Sequence, residues 1–166
     1  MQRTVRLAAL AIALCLTAAC GRSSAPVVPQ AHPTSQAGLP TGVLTITTDG
    51  SQAVLPVEIA ETEATRETGL MGRTDLAPDS GMVFLFEDPF QGGFWMKDTL
   101  IPLSIAFWDA DGRIVDIRDM QPCEKADTNT CPVYGSRKPY VGTVETNLGY
   151  FAAHDVKVGD TVELKR

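Results

Sequence analysis

From Val43 onward, short apolar runs alternate with clusters of glycine, proline and aspartate, a punctuation that predicts short strands rather than long helices. Val43 to Thr48 is a β-type run. Val54 to Ile59 places Leu55, Val57 and Ile59 on one face, and Pro56 within it favours an edge strand, because proline has no N–H to give a ladder. Thr62 to Met71 reads as a short helix: Thr62 can cap it, Glu63 suits its positive start, and Gly69 lies near its end. Asp75 to Gly81 is a loop, and Met82 to Phe86 is a buried strand. Pro89 and Gly92-Gly93 then break the chain before strands at Phe94 to Lys97 and Leu103 to Trp108. Asp109 to Gly112 is a turn. Beyond it Val115 and Ile117 share one strand face and Asp116 and Arg118 the other, so the two runs form a hairpin. A loop between Cys123 and Cys131, a strand at Tyr140 to Glu145, a turn or helix at Leu148 to Ala152 and a last strand at Thr161 to Leu164 complete the pattern. The fold class it predicts is α+β and β-rich, a small rolled or barrel-like sheet with one or two short helices. Residues 43–166 are expected to form a single globular domain.

The first 42 residues have a different texture. Arg3 and Arg6 precede the apolar run Leu7 to Leu16, and Thr17-Ala18-Ala19-Cys20 follows. A basic start, an apolar stretch and small residues before a cut predict a signal peptide over residues 1–19. The stretch is shorter than the roughly 20 residues a spanning helix needs. Ala18-Ala19-Cys20 resembles a lipobox, which implies acylation of Cys20 and a bilayer as partner. Gly21 stands where aspartate would resemble an inner-membrane retention signal, so the expected location is the bacterial outer membrane, facing the periplasm. Residues 20–42 contain Pro26, Pro29, Pro33 and Pro40 and show no apolar period. They read as a lipid-anchored flexible linker with a contour on the order of 65 Å.

Composition narrows the function classes. The chain has 166 residues, is 44% hydrophobic and carries a net charge of −6; loss of Arg3 and Arg6 with the signal takes this to −8. Such a chain lacks the basic excess that displaces counterions from phosphates, so no nucleic-acid partner is expected. Nor would charge hold it to an anionic membrane, which leaves acyl chains to do so.

Three motifs in order carry a resemblance: R-x-x-G-L-M-x-R from Arg66 to Arg73, G-M-x-F-x-F from Gly81 to Phe86, and F-W-M-K-D-T-x-I-P-L-S-I-x-F from Phe94 to Phe107. Over roughly Val54 to Leu164 the chain resembles the bacterial and archaeal domain-of-unknown-function family numbered 192. The resemblance implies a compact β-rich domain, often secreted or membrane-anchored, and implies no activity. Asp98 stands where that family usually has asparagine, and Ser104 where it usually has aspartate.

Phe94 to Thr99 joins aromatics, a thioether, a cation and an anion. As a strand it would turn Phe94, Met96 and Asp98 one way and Trp95, Lys97 and Thr99 the other. That suits a pocket wall which orients a small polar ligand. Arg66 and Arg73 are expected near the same mouth, as guanidinium forks for carboxylate or phosphate. The candidate ligand-binding set is therefore Arg66, Arg73, Trp95, Lys97, Asp98, Thr99 and Glu145, for a small anionic or sugar-like ligand. No cofactor, metal site or catalytic residue is assigned. Cys123 and Cys131, eight positions apart in an exported domain, predict a disulfide.

The function expected first is an exported, lipid-anchored envelope protein with a small-ligand or partner-binding domain. One alternative is a hydrolase of envelope polysaccharide or another small substrate, using Asp98, Lys97 or Glu145 as acid and base. A second is periplasmic Cu(I) handling by Met71, Met82, Met96 and Met120.

Overall fold

In a computed structural model, residues 38–123 and 127–166 are described; Cys20, the signal segment and residues 20–37 of the linker lie outside them. Nine strands and two short helices follow one another: β1 (Thr41–Thr47), β2 (Gln52–Ala60), α1 (Glu63–Thr68), β3 (Gly81–Phe90), β4 (Gly93–Trp95), β5 (Leu103–Trp108), β6 (Ile114–Met120), β7 (Val133–Gly135), β8 (Tyr140–Asn147), α2 (Tyr150–Ala153) and β9 (Thr161–Lys165). Seven of the strands form one sheet in the order β6-β5-β8-β3-β2-β1-β9, while β4 and β7 pair separately. The ends of the large sheet approach each other at one corner. Arg113 bridges Thr161 there, Ile114 N–H donates to Asp160 O, and Val162 N–H donates to Gly112 O. The fold is thus a β-rich α+β roll, a curled half-barrel.

Both faces of the sheet are apolar. One face buries Leu44, Leu55, Val57, Val83, Val144 and Phe151 inside the roll. The other buries Met82, Phe84, Ile105, Phe107 and Tyr140, and lies beneath α1 and the β4–β7 pair. Every residue of β5 is therefore buried, which explains its continuous apolar run. Gly142 lies directly under Trp108: a Cβ there would come within 2.3 Å of the indole, so only glycine lets the ring lie flat on the strand.

Four local expectations change. Pro56 sits in an interior strand. However, Ile59 N–H donates to Pro40 O on the β1 side, so by alternation the Pro56 nitrogen faces β3, whose ladder begins only at Val57. Pro89 does not end the strand: β3 continues to Phe90 through a register shift after Leu85. Val115 and Ile117 do not share a face. A bulge between Phe107 and Trp108 leaves Val115 as the extra residue, so Val115 packs on the outer core and Ile117 inside the roll. Finally, α1 stops at Thr68. Thr62 and Thr65 exchange capping bonds at its start, and Gly69 at φ 45° turns the chain away.

Candidate functional site

The outer face of the sheet is only partly covered. Between α1, the end of β3 and the β4 strand lies a cleft of about 690 Å³, within the range of small-ligand sites. Phe84, Phe86 and Phe90 from β3, together with Phe94 and Trp95 from β4, make the wall; Leu70 and Met71 follow α1, and Glu145 lies on β8. The aromatics hold one another in place. Phe84 stands edge-on to Phe94 at 4.9 Å, Phe86 stacks on Phe90 at 4.7 Å, and Tyr140 buttresses both Phe86 and Phe107.

Of the seven residues expected to contact a ligand, Arg66, Trp95, Lys97, Thr99 and Glu145 line this cleft. Arg66 projects from α1 and donates through one nitrogen to Glu61 O and Leu85 O, with its guanidinium 5.0 Å from the Phe86 ring centre. It takes no carboxylate partner among the described residues; backbone carbonyls hold it instead. Lys97 Nζ lies over the Trp95 ring at 5.2 Å and likewise has no ion-pair partner among the described residues.

Arg73 and Asp98 do not line it. Arg73 is buried and meets both carboxylate oxygens of Glu58 on β2, because a guanidinium taken out of water needs its charge matched where it lies. Asp98 is exposed on a turn. The strand ends at Trp95, so the alternation expected through Thr99 fails: Met96 and Thr99 are both buried, and Asp98 adopts a left-handed φ of 53°. Its carbonyl accepts a bond from Gly72 N–H at 2.8 Å. Aspartate and asparagine are the non-glycine residues that best tolerate this conformation, which accounts for the residue types at this position. Ser104 is also remote from the cleft. On the inner face of β5, its hydroxyl donates to Asp119 at 2.5 Å and accepts from Gly149 N–H.

Glu145 is the chemically distinctive residue. It is 6% exposed and sits on the outer face, between Met82 of β3 and Ile105 of β5. Among the described residues its carboxyl has no hydrogen-bond or ion-pair partner. Burial alone pushes it up to about 8, so it is largely protonated at neutral pH. Two positions earlier on the same face, the Thr143 hydroxyl is also buried without a hydrogen-bond partner among the described residues.

Sequence reasoning brought the helix carrying Arg66 to the cleft but missed Phe84, Phe86 and Phe90 as cleft walls, although the G-M-x-F-x-F motif was their visible signal. It also missed β7. Cys123 and Cys131 do form a disulfide, and the chain leaving it enters β7, which pairs with the cleft strand β4. Met82, Met96 and Met120 are fully buried in the outer core, leaving Met71 at the cleft. Asp109 accepts from the N–H groups of Asp111 and Arg113, which is turn chemistry.

Two solved structures share this architecture. One is a protein of unknown function from Novosphingobium aromaticivorans DSM 12444, 33% identical, with a TM-score of 0.71, covering 83% of this chain and 94% of its own. The other, from Sinorhizobium meliloti 1021, is described as a candidate transcription regulator; it is 30% identical, with a TM-score of 0.69, and covers 78% of this chain and 98% of its own. No curated protein matches the chain. Residues 44–164 match the family described as Uncharacterized ACR, and with these likenesses the chain belongs to that family, DUF192.

Proposed function

We propose that this domain binds a small amphipathic ligand in the cleft, as the working end of an exported, lipid-anchored envelope protein. The observation that carries the reading is an aromatic-walled cleft with two half-buried cations at its wall, neither of which is neutralised by a carboxylate among the described residues. Such a site suits a ligand with an apolar body and an anionic group, the latter held by Lys97 and the free edge of Arg66. Binding without turnover is the simpler reading. Glycoside cleavage needs two carboxyls about 5 to 9 Å apart. Here Asp98 does not line the cleft, Glu145 lies between two apolar neighbours on the sheet, and the remaining carboxyls at the cleft, Glu63 and Glu67, are exposed on α1. The transcription-regulator description of the Sinorhizobium protein is not carried over to this domain, whose net charge of −6 disfavours contact with nucleic acid.

The exported location is supported by the basic start, apolar run and Ala-Ala-Cys20, and by a disulfide, which persists in oxidising compartments. The outer membrane, facing the periplasm, is the location proposed. Cys20→Ala should abolish labelling by radioactive palmitate; equal labelling of variant and wild type would remove the anchor from the proposal.

The ligand reading is tested by identifying, through mass spectrometry, the small molecule that co-purifies with the protein, and then titrating it by calorimetry. Lys97→Ala and Trp95→Ala should each weaken binding with little change in melting temperature. A molecule that binds both variants as tightly as wild type does not use this cleft.

A further inference from the structure

The buried carboxyl of Glu145 has no role in holding the fold together. It accepts no bond and pairs with no charge among the described residues, and burying such a group costs stability rather than adding it. The nearest charges along its row of the sheet are committed elsewhere. Along its row of the sheet, Met82 and Ile105 are its neighbours. The next residues out are Glu58 on β2, held by Arg73, and Arg118 on β6, held by Asp116. From α1 the cleft is faced by Glu63, Arg66 and Glu67, and from the turn after β4 by Lys97. A side chain that lines a cleft, is buried and lacks an internal partner is placed to meet a partner that arrives with the ligand.

The chemistry of that partner follows from which ring faces are free. A cationic ligand would need free aromatic faces and an ionised acid shielded from water, whereas Glu63 and Glu67, the other carboxylates at the cleft, are exposed on α1, where solvent screens them. Arg66 already covers Phe86, and Lys97 already covers Trp95, so the protein's own cations occupy those ring faces and oppose a third positive charge. An ionised Glu145 would in addition have to form in an apolar surround.

We propose that Glu145 acts in the cleft as an undissociated acid, donating a hydrogen bond to a neutral acceptor oxygen on the apolar body of an organic anion. The charged end of that anion is held at Arg66 and Lys97. This rests on the cleft being a ligand site, and it adds the ligand class and the protonation state that recognises it.

The test uses the full-length chain and three probes: 4-benzoylbutyrate, which has a phenyl ring, a ketone and a carboxylate; 5-phenylpentanoate, the same chain without the ketone; and 4-phenylbutylamine as the cation. Calorimetric affinities are compared at about pH 6.5 and about pH 9, on either side of the Glu145 ionisation. Wild type should prefer the ketone over its deoxy analogue by about tenfold at the lower pH, the worth of one satisfied buried donor, and lose that preference at the higher pH. Glu145→Gln retains an N–H donor and should keep the preference at both pH values. Glu145→Leu should bind the two anions equally. A ketone preference that survives in Glu145→Leu, or tighter binding of the amine with affinity rising with pH, overturns the proposal while leaving the cleft as a ligand site. If no probe binds, or if Lys97→Ala and Trp95→Ala bind every probe as wild type does, the cleft reading itself falls, and this inference with it.

Discussion

Phe84 and Phe94 meet edge to face with ring centres 4.9 Å apart, joining a strand of the seven-stranded sheet to the two-stranded sheet that walls the cleft. Gly69 serves the same junction. A Cβ added there would come within 3.3 Å of the edge of the Phe84 ring. The wall is therefore held by packing, while the groups that face the cleft hang from it.

This division predicts opposite outcomes for adjacent residues. Phe94→Ala should cost about 2 to 4 kcal/mol, as a large-to-small change in a packed aromatic cluster. Trp95, 37% exposed, should cost under about 1 kcal/mol when changed to alanine. Urea denaturation of the two variants measures both, and equal losses would contradict the division.

Stability should fall as pH rises through the range in which Glu145 ionises. Its carboxyl is raised by burial from 4.5 to about 8, so the folded state holds this proton more tightly than the unfolded state. The associated stability is complete below about pH 4.5, declines above it and is lost beyond about pH 8, a change on the order of 5 kcal/mol. Glu145→Gln should remove this component and be the more stable protein at about pH 8.5. The measurement is denaturant unfolding of both proteins across that range; parallel profiles would show that Glu145 does not carry the effect.

The Cys123–Cys131 bond closes an eight-residue separation just before β7, and Pro132 O accepts from Met96 N–H beside the cleft strand. Loop entropy assigns it about 2.5 kcal/mol. Replacing both cysteines with serine should lower stability by about that amount, and hydrogen exchange should show faster opening in β4 and β7 than in β5 and β8. Uniform loss of protection would mean that the small sheet does not depend on the bridge.

Arg73 and Glu58 should behave as a unit. Removing either alone leaves a buried charge unmatched, at about 3 to 5 kcal/mol, whereas Arg73→Met with Glu58→Leu should recover most of that loss. A double-mutant cycle measures the coupling, and additive losses would show that the pair is not coupled.

The strands at Leu103 to Trp108 and Tyr140 to Glu145, the hairpin turn at Asp109 to Gly112 and the cap at Thr62 were legible because each is set by local chemistry: side-chain period, turn residues, a hydroxyl beside a free N–H. The disulfide was legible from cysteine count and spacing. The F-W-M-K stretch and Glu145 could be picked out as unusual residues for a β-rich core. What the linear chain leaves open is where a charge finds its match. Arg66 and Arg73 have the same side chain and lie seven positions apart, yet one borders the cleft and the other is spent on Glu58. Only the path of the chain around Gly69 decides which. The same holds for Pro56, interior yet locally unpaired, and for Val115, turned over by a bulge. These depend on register, a relation between distant strands, and a one-residue shift reverses every face. Tertiary structure likewise decided that Glu145 would be desolvated: its surroundings come from β3, β5, α1 and β4, none of which adjoins it in sequence.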